Sequence, residues 1–294
     1  MNRGIIRYVL GKVIQIEALL LLVPVLCALV YNEHEGFYYL DVAMLCIVVG
    51  TVMTIKKPKD SVFYLKEGCI STAASWIFLS LFGAIPFVLT GEIPNYINAL
   101  FETISGFTTT GASILPEVES LSHSSLLWRS FTHWVGGMGI LVFMLVFIPS
   151  NADEMNIMRA ESPGPSVEKM VPKVRDTATT LYAIYTAMTV TLMIALALAG
   201  MPFFDSICLS FGTAGTGGFG IRGDSIAGYS SLCQSIITVG MVLFGVNFNF
   251  YYLIIMRKFK HLLNCEEVIW YVIIYLFAFQ SDRLTHTLTY WHKN

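Results

Sequence analysis

FGTAGTGGFGIR, residues 211–222, holds five glycines between Gly212 and Gly220, and its reading decides the fold. Within it, Gly215-Thr216-Gly217-Gly218-Phe219-Gly220 satisfies the G-x-G-x-x-G pattern of dinucleotide-binding folds. That pattern has its meaning only after a strand, at the start of a helix, with an acidic residue about 20 positions later. Here an apolar run of membrane length lies on each side, at 177–200 and 232–256, and the second contains no acid. Asp224 is far too close to serve. The surroundings remove the nucleotide reading, and the glycines must do other work.

The rest of the chain says what kind of protein surrounds them. Its 294 residues are 55% hydrophobic and only 13% charged, with a mean hydropathy of +0.66. Soluble domains carry about 25% charged residues, so a membrane protein is expected. A net charge of −2 provides no basic field for nucleic acid. Cys27, Cys46, Cys69, Cys208, Cys233 and Cys265 are scattered without a C-x-x-C pair. That spacing argues against zinc, iron–sulfur and disulfide frameworks and leaves thiols acting as small apolar side chains. The first apolar run is too long for a cleavable signal peptide and lacks a small-residue cleavage site.

About 20 apolar residues cross a bilayer. The hydropathy pattern predicts spans at 5–31, 37–55, 69–90, 126–149, 177–200 and 232–256, with a shorter apolar run at 268–279. With the N-terminus in the cytoplasm, 14 of the 18 Lys and Arg residues fall on the inner side. They lie around 3–12, 56–66, 159–175 and 257–260. Lys and Arg are enriched in cytoplasmic loops, so this orientation is the expected one.

Two outer connections differ from ordinary loops. Residues 93–117 and 201–224 each open with a proline and an apolar helical stretch of about a dozen residues, then dissolve into Thr, Gly and Ser. Such stretches are too short to span, and irregular backbone at membrane depth survives only where protein buries it or a watery path runs past it. Both therefore read as re-entrant hairpins. An offset of 106 aligns Gly106 with Gly212, Thr110 with Thr216 and Gly111 with Gly217, then Leu126 with Leu232 and Gly139 with Gly245. Internal duplication of this kind is common in transport folds. The predicted organisation is an N-terminal hairpin at 1–60, a first pore repeat at 61–150, a second at 151–262 and an incomplete third at 263–294.

The chemistry of the two loops suits a dehydrated monovalent cation. Backbone carbonyls replace its hydration shell, and glycine permits the backbone angles that point them inward. Threonine adds hydroxyl oxygens, and the short helix ends with the negative end of its dipole beside the loop. The residues that would hold the ion are Thr109, Thr110, Gly111, Ala112 and Ser113 in the first loop. In the second they are Gly215, Thr216, Gly217, Gly218 and Phe219. No metal other than this cation is expected. Gly136, Gly137 and Gly139 are expected to serve close helix packing. Gly111-Ala112-Ser113 also resembles the start of the G-x-S-G loop of intramembrane serine proteases, but Ile114 follows where glycine is required, so enzyme activity is not expected. Asp205 suits a helix N-terminus, and His133 reads as a hydrogen-bonded membrane histidine. Glu102 either biases the mouth toward cations or bonds backbone groups. Arg129 either snorkels to the interface or pairs with a loop acid, while Asn247 and Asn249 line a cavity or join helices.

ETISGFTTTGASIL (102–115) with LLWRSFTHWVGGMGILVF (126–143) resembles the first pore repeat of the Trk/Ktr/HKT potassium-transporter superfamily, most closely its TrkH and TrkG type. GTAGTGGFG (212–220) resembles the second pore loop, and the spans at 5–31 and 37–55 resemble that branch's additional N-terminal hairpin. The resemblance implies an all-α polytopic membrane protein of the bacterial cytoplasmic membrane. It would comprise an N-terminal helical hairpin, two span–pore-helix–span pseudo-repeats and the start of a third. It further implies potassium uptake through four pore loops, Gly111 and Gly217 as signature glycines, and a cytoplasmic nucleotide-binding regulatory partner of TrkA type. Only two of the four repeats are complete here. Either the chain is a truncated, transport-inactive fragment, or two chains pair as a homodimer to close the ring. A different multi-pass permease is the remaining alternative.

Overall fold

The computed structural model describes residues 2–58, 65–139, 174–257, 266–275 and 277. Every regular element among them is helical. The first apolar run forms α1 (Arg3–Leu20) and α2 (Leu22–Tyr31) rather than one unbroken helix. Pro24 has no N–H to return to the carbonyl four residues earlier, and its ring crowds that carbonyl. The break at Leu21 follows. After a left-handed Asn32 at φ 56° the chain turns into α3 (Gly36–Thr54). A Cβ on Gly50 would lie 2.7 Å from the Gly11 carbonyl oxygen, so these two glycines bring α1 and α3 to backbone contact.

Further helices follow among the described residues. They are α4 (Leu65–Leu89), α5 (Tyr96–Phe107), α6 (His123–Met138), α7 (Val174–Leu198), α8 (Phe203–Ala214), α9 (Ser231–Gly245) and α10 (Phe248–Ile255). Four stretches are long and apolar enough to cross a membrane: Arg3–Tyr31, Gly36–Thr54, Lys66–Leu89 and Ala178–Leu198. The predicted span 126–149 is helical to Met138, and its part from Ile140 lies outside the described residues. So do Lys59, Arg159, Lys169, Lys173, Lys258, Lys260, Cys265 and everything beyond 277.

The predicted span 232–256 is corrected. It consists of two helices, α9 and α10, interrupted at Val246 and Asn247. Glycine and asparagine are poor helix formers, and Gly245 ends the first helix while Asn247 lies within the interruption. Asn247 Nδ2 donates to Glu267 Oε2 at 2.9 Å, so its side chain serves a neighbouring helical segment.

The chain divides into two compact units, up to Met241 and from Val242 onward. In the first, α1 packs on α3 and α4, α4 on the short α5, and α6 on both short helices α5 and α8. Trp128 of α6 is fully buried at the centre, with its indole N–H donating to the Gly83 carbonyl of α4 at 3.0 Å. Its ring meets Phe107 of α5 and Tyr39 of α3 edge-on. Each short helix thus packs against longer neighbours on one side, while Ile97, Phe101 and Ile104 leave the other side of α5 exposed. In the second unit, residues 266–275 are helical. There the Tyr271 hydroxyl donates to the Val242 carbonyl at 3.1 Å.

Candidate functional site

Both short helices are 12 residues long and end in the same way. Thr109 and Thr216 are left-handed at φ 54°, and Gly111 and Gly218 follow at φ 75° and 77°. The Thr109 and Thr110 N–H groups bond the Gly106 and Ser105 carbonyls at 2.9 Å each. Those of Thr216 and Gly217 bond Thr213 and Gly212 at 2.9 and 3.1 Å. This is a Schellman ending with threonine where glycine is usual. A β-branched residue at positive φ is a true outlier, and such outliers cluster at functional sites.

These matched geometries set the register of the repeat at 107, correcting the expected 106. Gly111 therefore corresponds to Gly218, and Thr109 rather than Thr110 corresponds to Thr216. The two glycine spacings, 106 to 111 and 212 to 217, are equal, so letters alone aligned them; the helix ends decide otherwise. Farther along, the Ser122 and Ser230 hydroxyls accept from the N–H groups of Ser125 and Cys233, 108 positions apart. The second descending segment is one residue longer, so Leu126 with Leu232 and Gly139 with Gly245 do not pair either.

The loops touch. A Cβ on Gly111 would overlap the Gly217 carbonyl, so the first loop's glycine seats the second loop's backbone. Thr110, Ala112, Ser113, Thr216 and Gly218 are exposed, Thr109, Gly111 and Gly217 half-buried, and Gly215 and Phe219 buried. Not every predicted oxygen is free. The Ser105 hydroxyl donates to the Ala112 carbonyl at 2.6 Å, and the Ser113 hydroxyl donates to Glu102 Oε1 at 2.7 Å. The Thr110 and Thr108 hydroxyls share a hydrogen bond of 2.8 Å. In the second repeat Gly212 stands where Ser105 does, facing the Phe219 carbonyl without a hydroxyl to offer. Phe219 turns its ring away from the exposed side.

That ring lies in a buried polar assembly behind the loops. Arg129 is 2% exposed and pairs through Nε with Glu102 Oε2 at 3.1 Å, Glu102 itself being fully buried. Its two remaining nitrogens reach the Gly220 carbonyl at 3.2 Å and the Ser113 hydroxyl at 3.3 Å. The guanidinium carbon stands 4.1 Å from the Phe219 ring centre. The Ile114 N–H also donates to Glu102, at 2.6 Å. Of the alternatives open for Arg129 and Glu102, pairing and backbone bonding are the ones realised. His133, one turn after Arg129, stacks obliquely on Phe219 at 4.1 Å and lies beneath Gly217. Neither of its ring nitrogens has a hydrogen-bond partner among the described residues, which corrects the expectation of a hydrogen-bonded histidine. Gly136 and Gly137 press against Phe107 and Gly215 backbone, and Gly139 caps α6 at φ 81°.

Outer ties complete the frame. Glu119, after the first loop, accepts from the Gly223 N–H of the second at 2.6 Å. That bond, chiefly, holds its carboxyl below the ordinary carboxylate value. Asp205, in the first turn of α8, accepts from the Tyr229 hydroxyl at 2.8 Å and from Arg222 at 3.4 Å. Burial first, then the Asp205 carboxylate, pushes the Tyr229 phenol up. Sequence reasoning passed over Glu119, Ser105 and Gly220. The available signal was a set of acids and hydroxyls beside glycine-rich loops, but which of them face each other depends on the packing of α5, α6 and α8.

Comparison with known proteins agrees with this architecture. Residues 36–279 match the family model TrkH, described as a cation transport protein. The Trk system potassium uptake protein TrkH of Salmonella typhimurium is 34% identical over 257 residues, 85% of this chain and 53% of that protein. Escherichia coli (strain K12) TrkG, also named as a Trk system potassium uptake protein, is 30% identical, over 92% of this chain and 57% of its own length. The crystal structure of the potassium transporter TrkH from Vibrio parahaemolyticus superposes with a TM-score of 0.73 at 27% identity, covering 86% of this chain and 52% of that one. The chain thus spans about half the length of the relatives it matches. The helical architecture with its membrane-length spans and the family match across most of the chain lead to one conclusion: this protein belongs to the TrkH cation transport family.

Proposed function

We propose that the chain carries the first two pore loops of a potassium uptake pathway, and that Thr109–Ser113 and Gly215–Phe219 present the oxygens that select the ion. The observation that carries this reading is the repeated left-handed threonine and glycine, in two touching loops at the ends of two equal helices. Alternating backbone handedness of this kind turns successive carbonyls toward one side of the chain, where a dehydrated cation needs them. The names of the relatives point to potassium as that cation. Within the loops, the Ala112 carbonyl and the Ser113 hydroxyl are partly committed to protein partners. The carbonyls of Thr110, Gly111 and Thr216, which accept no hydrogen bond among the described residues, are the better ligands, while that of Gly217 is seated against Gly111. The four segments set out above, a hairpin at 1–60, pore repeats at 61–150 and 151–262 and an incomplete third repeat at 263–294, stand as part of this proposal, as does a cytoplasmic N-terminus in a bacterial cytoplasmic membrane.

Two loops supply half of the four-loop ring that the family resemblance implies. The other two come from the remaining length found in the relatives or from a second copy of this chain. A cytoplasmic nucleotide-binding subunit of TrkA type would regulate the assembled pore. The test is growth of a potassium-uptake-deficient bacterium at low external potassium, with this chain expressed alone and together with the second half of a full-length relative. Rescue in either arrangement is expected, and rescue by the chain alone identifies the homodimer. No rescue in either, with both halves present in the membrane, would sink the proposal.

A further inference from the structure

We infer that Arg129 and Glu102 form a clamp that sets the spacing between the two loops and thereby their preference among monovalent cations. This rests on the potassium-pathway reading above. One guanidinium touches both loops: the Ser113 hydroxyl on the first, and the Gly220 carbonyl and Phe219 ring on the second. Glu102, from the first short helix, fixes that guanidinium and also grips Ser113 and the Ile114 N–H. The planar guanidinium spreads five N–H donors over three nitrogens in a fixed plane, so it can reach acceptors on both loops at once, a span that the donors of an ammonium, gathered on one nitrogen, do not cover. Both side chains are buried, so water cannot substitute for a lost contact. Arg129 and Glu102 do not face the exposed side of the loops, so they act as positioning residues and not as ligands.

The contact between Glu119 and the Gly223 N–H offers a readout that needs no transport, because it joins the same two loops beyond the clamp. With Glu119→Cys and Gly223→Cys introduced, and Cys69 and Cys265 replaced by Ser, oxidation by copper–phenanthroline in membranes reports loop proximity. Arg129→Lys and Glu102→Gln are each expected to lower the disulfide yield several-fold. In the otherwise unaltered protein they are expected to lower the potassium-to-sodium uptake ratio while leaving membrane abundance similar. Phe219→Leu, which keeps the ion pair and removes the ring's contacts with Arg129 and His133, is expected to lower the ratio to a smaller extent and guards against a variant that does not fold. Unchanged yields in both clamp variants overturn the clamp, whether or not the protein moves ions. Lowered yields with an unchanged ratio overturn its role in selectivity. Absence of potassium uptake by the unmutated protein, with lowered yields in the variants, instead marks failure of the potassium-pathway reading and leaves the clamp standing as a loop tie without the selective role.

Discussion

Gly111 and Gly218 occupy equivalent left-handed positions, yet they are not equally replaceable. A left-handed L-residue costs about 1–2 kcal/mol at either site. At Gly111 a side chain would also collide with the Gly217 carbonyl, whereas at Gly218 the nearest atom is the Met241 methyl, 3.9 Å away. Gly111→Ala is therefore expected to lose far more stability than Gly218→Ala in thermal unfolding in detergent, and, if the loops conduct potassium as proposed, far more selectivity in cation uptake ratios. Equal losses would contradict the contact between the loops. Thr109 and Thr216 carry the same backbone strain as native residues. Thr109→Gly should relieve about 1 kcal/mol and raise the unfolding midpoint. If the hydroxyl or the stiffness of threonine matters to the ion path, selectivity falls as stability rises. The glycines and threonines were visible in the sequence as a class, but their exact correspondence was not, because several one-letter alignments fit equally well.

The start of α6 shows how single elements are held. Glu33, in the turn after α2, accepts from the N–H groups of His123 and Ser124 and from both of their side chains, at 2.8–3.0 Å. Glu92 accepts from the Ser122 N–H and the Ser125 hydroxyl on the same helix start. Two carboxylates at a helix N-terminus satisfy donors that no helix can satisfy internally and complement its dipole. Burial alone would raise the Glu33 carboxyl, but the N–H groups of Ser124 and His123, with their side chains, hold it below the ordinary value of 4.5. A depressed folded-state value means that the stabilisation is present above the unfolded value and is lost as pH falls through the folded one. The unfolding midpoint should thus fall on acidification below about pH 4.5, and Glu33→Gln should flatten that dependence. An identical pH profile in the variant would show that Glu33 contributes nothing there. In α1, by contrast, both Glu17 oxygens are buried without a hydrogen-bond partner among the described residues. An unsatisfied buried polar group costs about 1–3 kcal/mol. Glu17→Leu is expected to raise the unfolding midpoint, and a drop would reveal a partner that the carboxyl serves.

Across the molecule, the two loops depend on packing that begins far from them. Gly11 and Gly50 let α1 and α3 approach at backbone distance, α1 supports α4, and α4 carries the short helix α5. Gly50→Leu inserts a side chain into that contact, and overpacking of this kind costs about 1–3 kcal/mol. The midpoint of thermal unfolding should drop accordingly, while a cation uptake ratio set by the loops should stay nearly constant in the molecules that remain folded. A changed ratio would mean that the N-terminal hairpin tunes the loops directly.

Hydrophobic length determined, from the sequence by itself, the membrane class and four of the six predicted spans, and Lys/Arg placement is the ground for the proposed orientation. Those properties are sums over 20 or more residues, and single errors wash out. The pairing of short helices with glycine–threonine loops was legible for a related reason: a run too short to span, followed by helix breakers, has few ways to satisfy its backbone in a bilayer. Only the tertiary structure decided the 107-residue register, the division of 232–256 at Val246–Asn247 and the exclusion of the Phe219 ring from the exposed side. It alone joined Glu102 and Arg129, 27 positions apart on different helices, into one buried pair that touches both loops. A charge in a sequence has no partner until packing brings another to it, and in a low-dielectric interior that meeting decides whether the charge is tolerated.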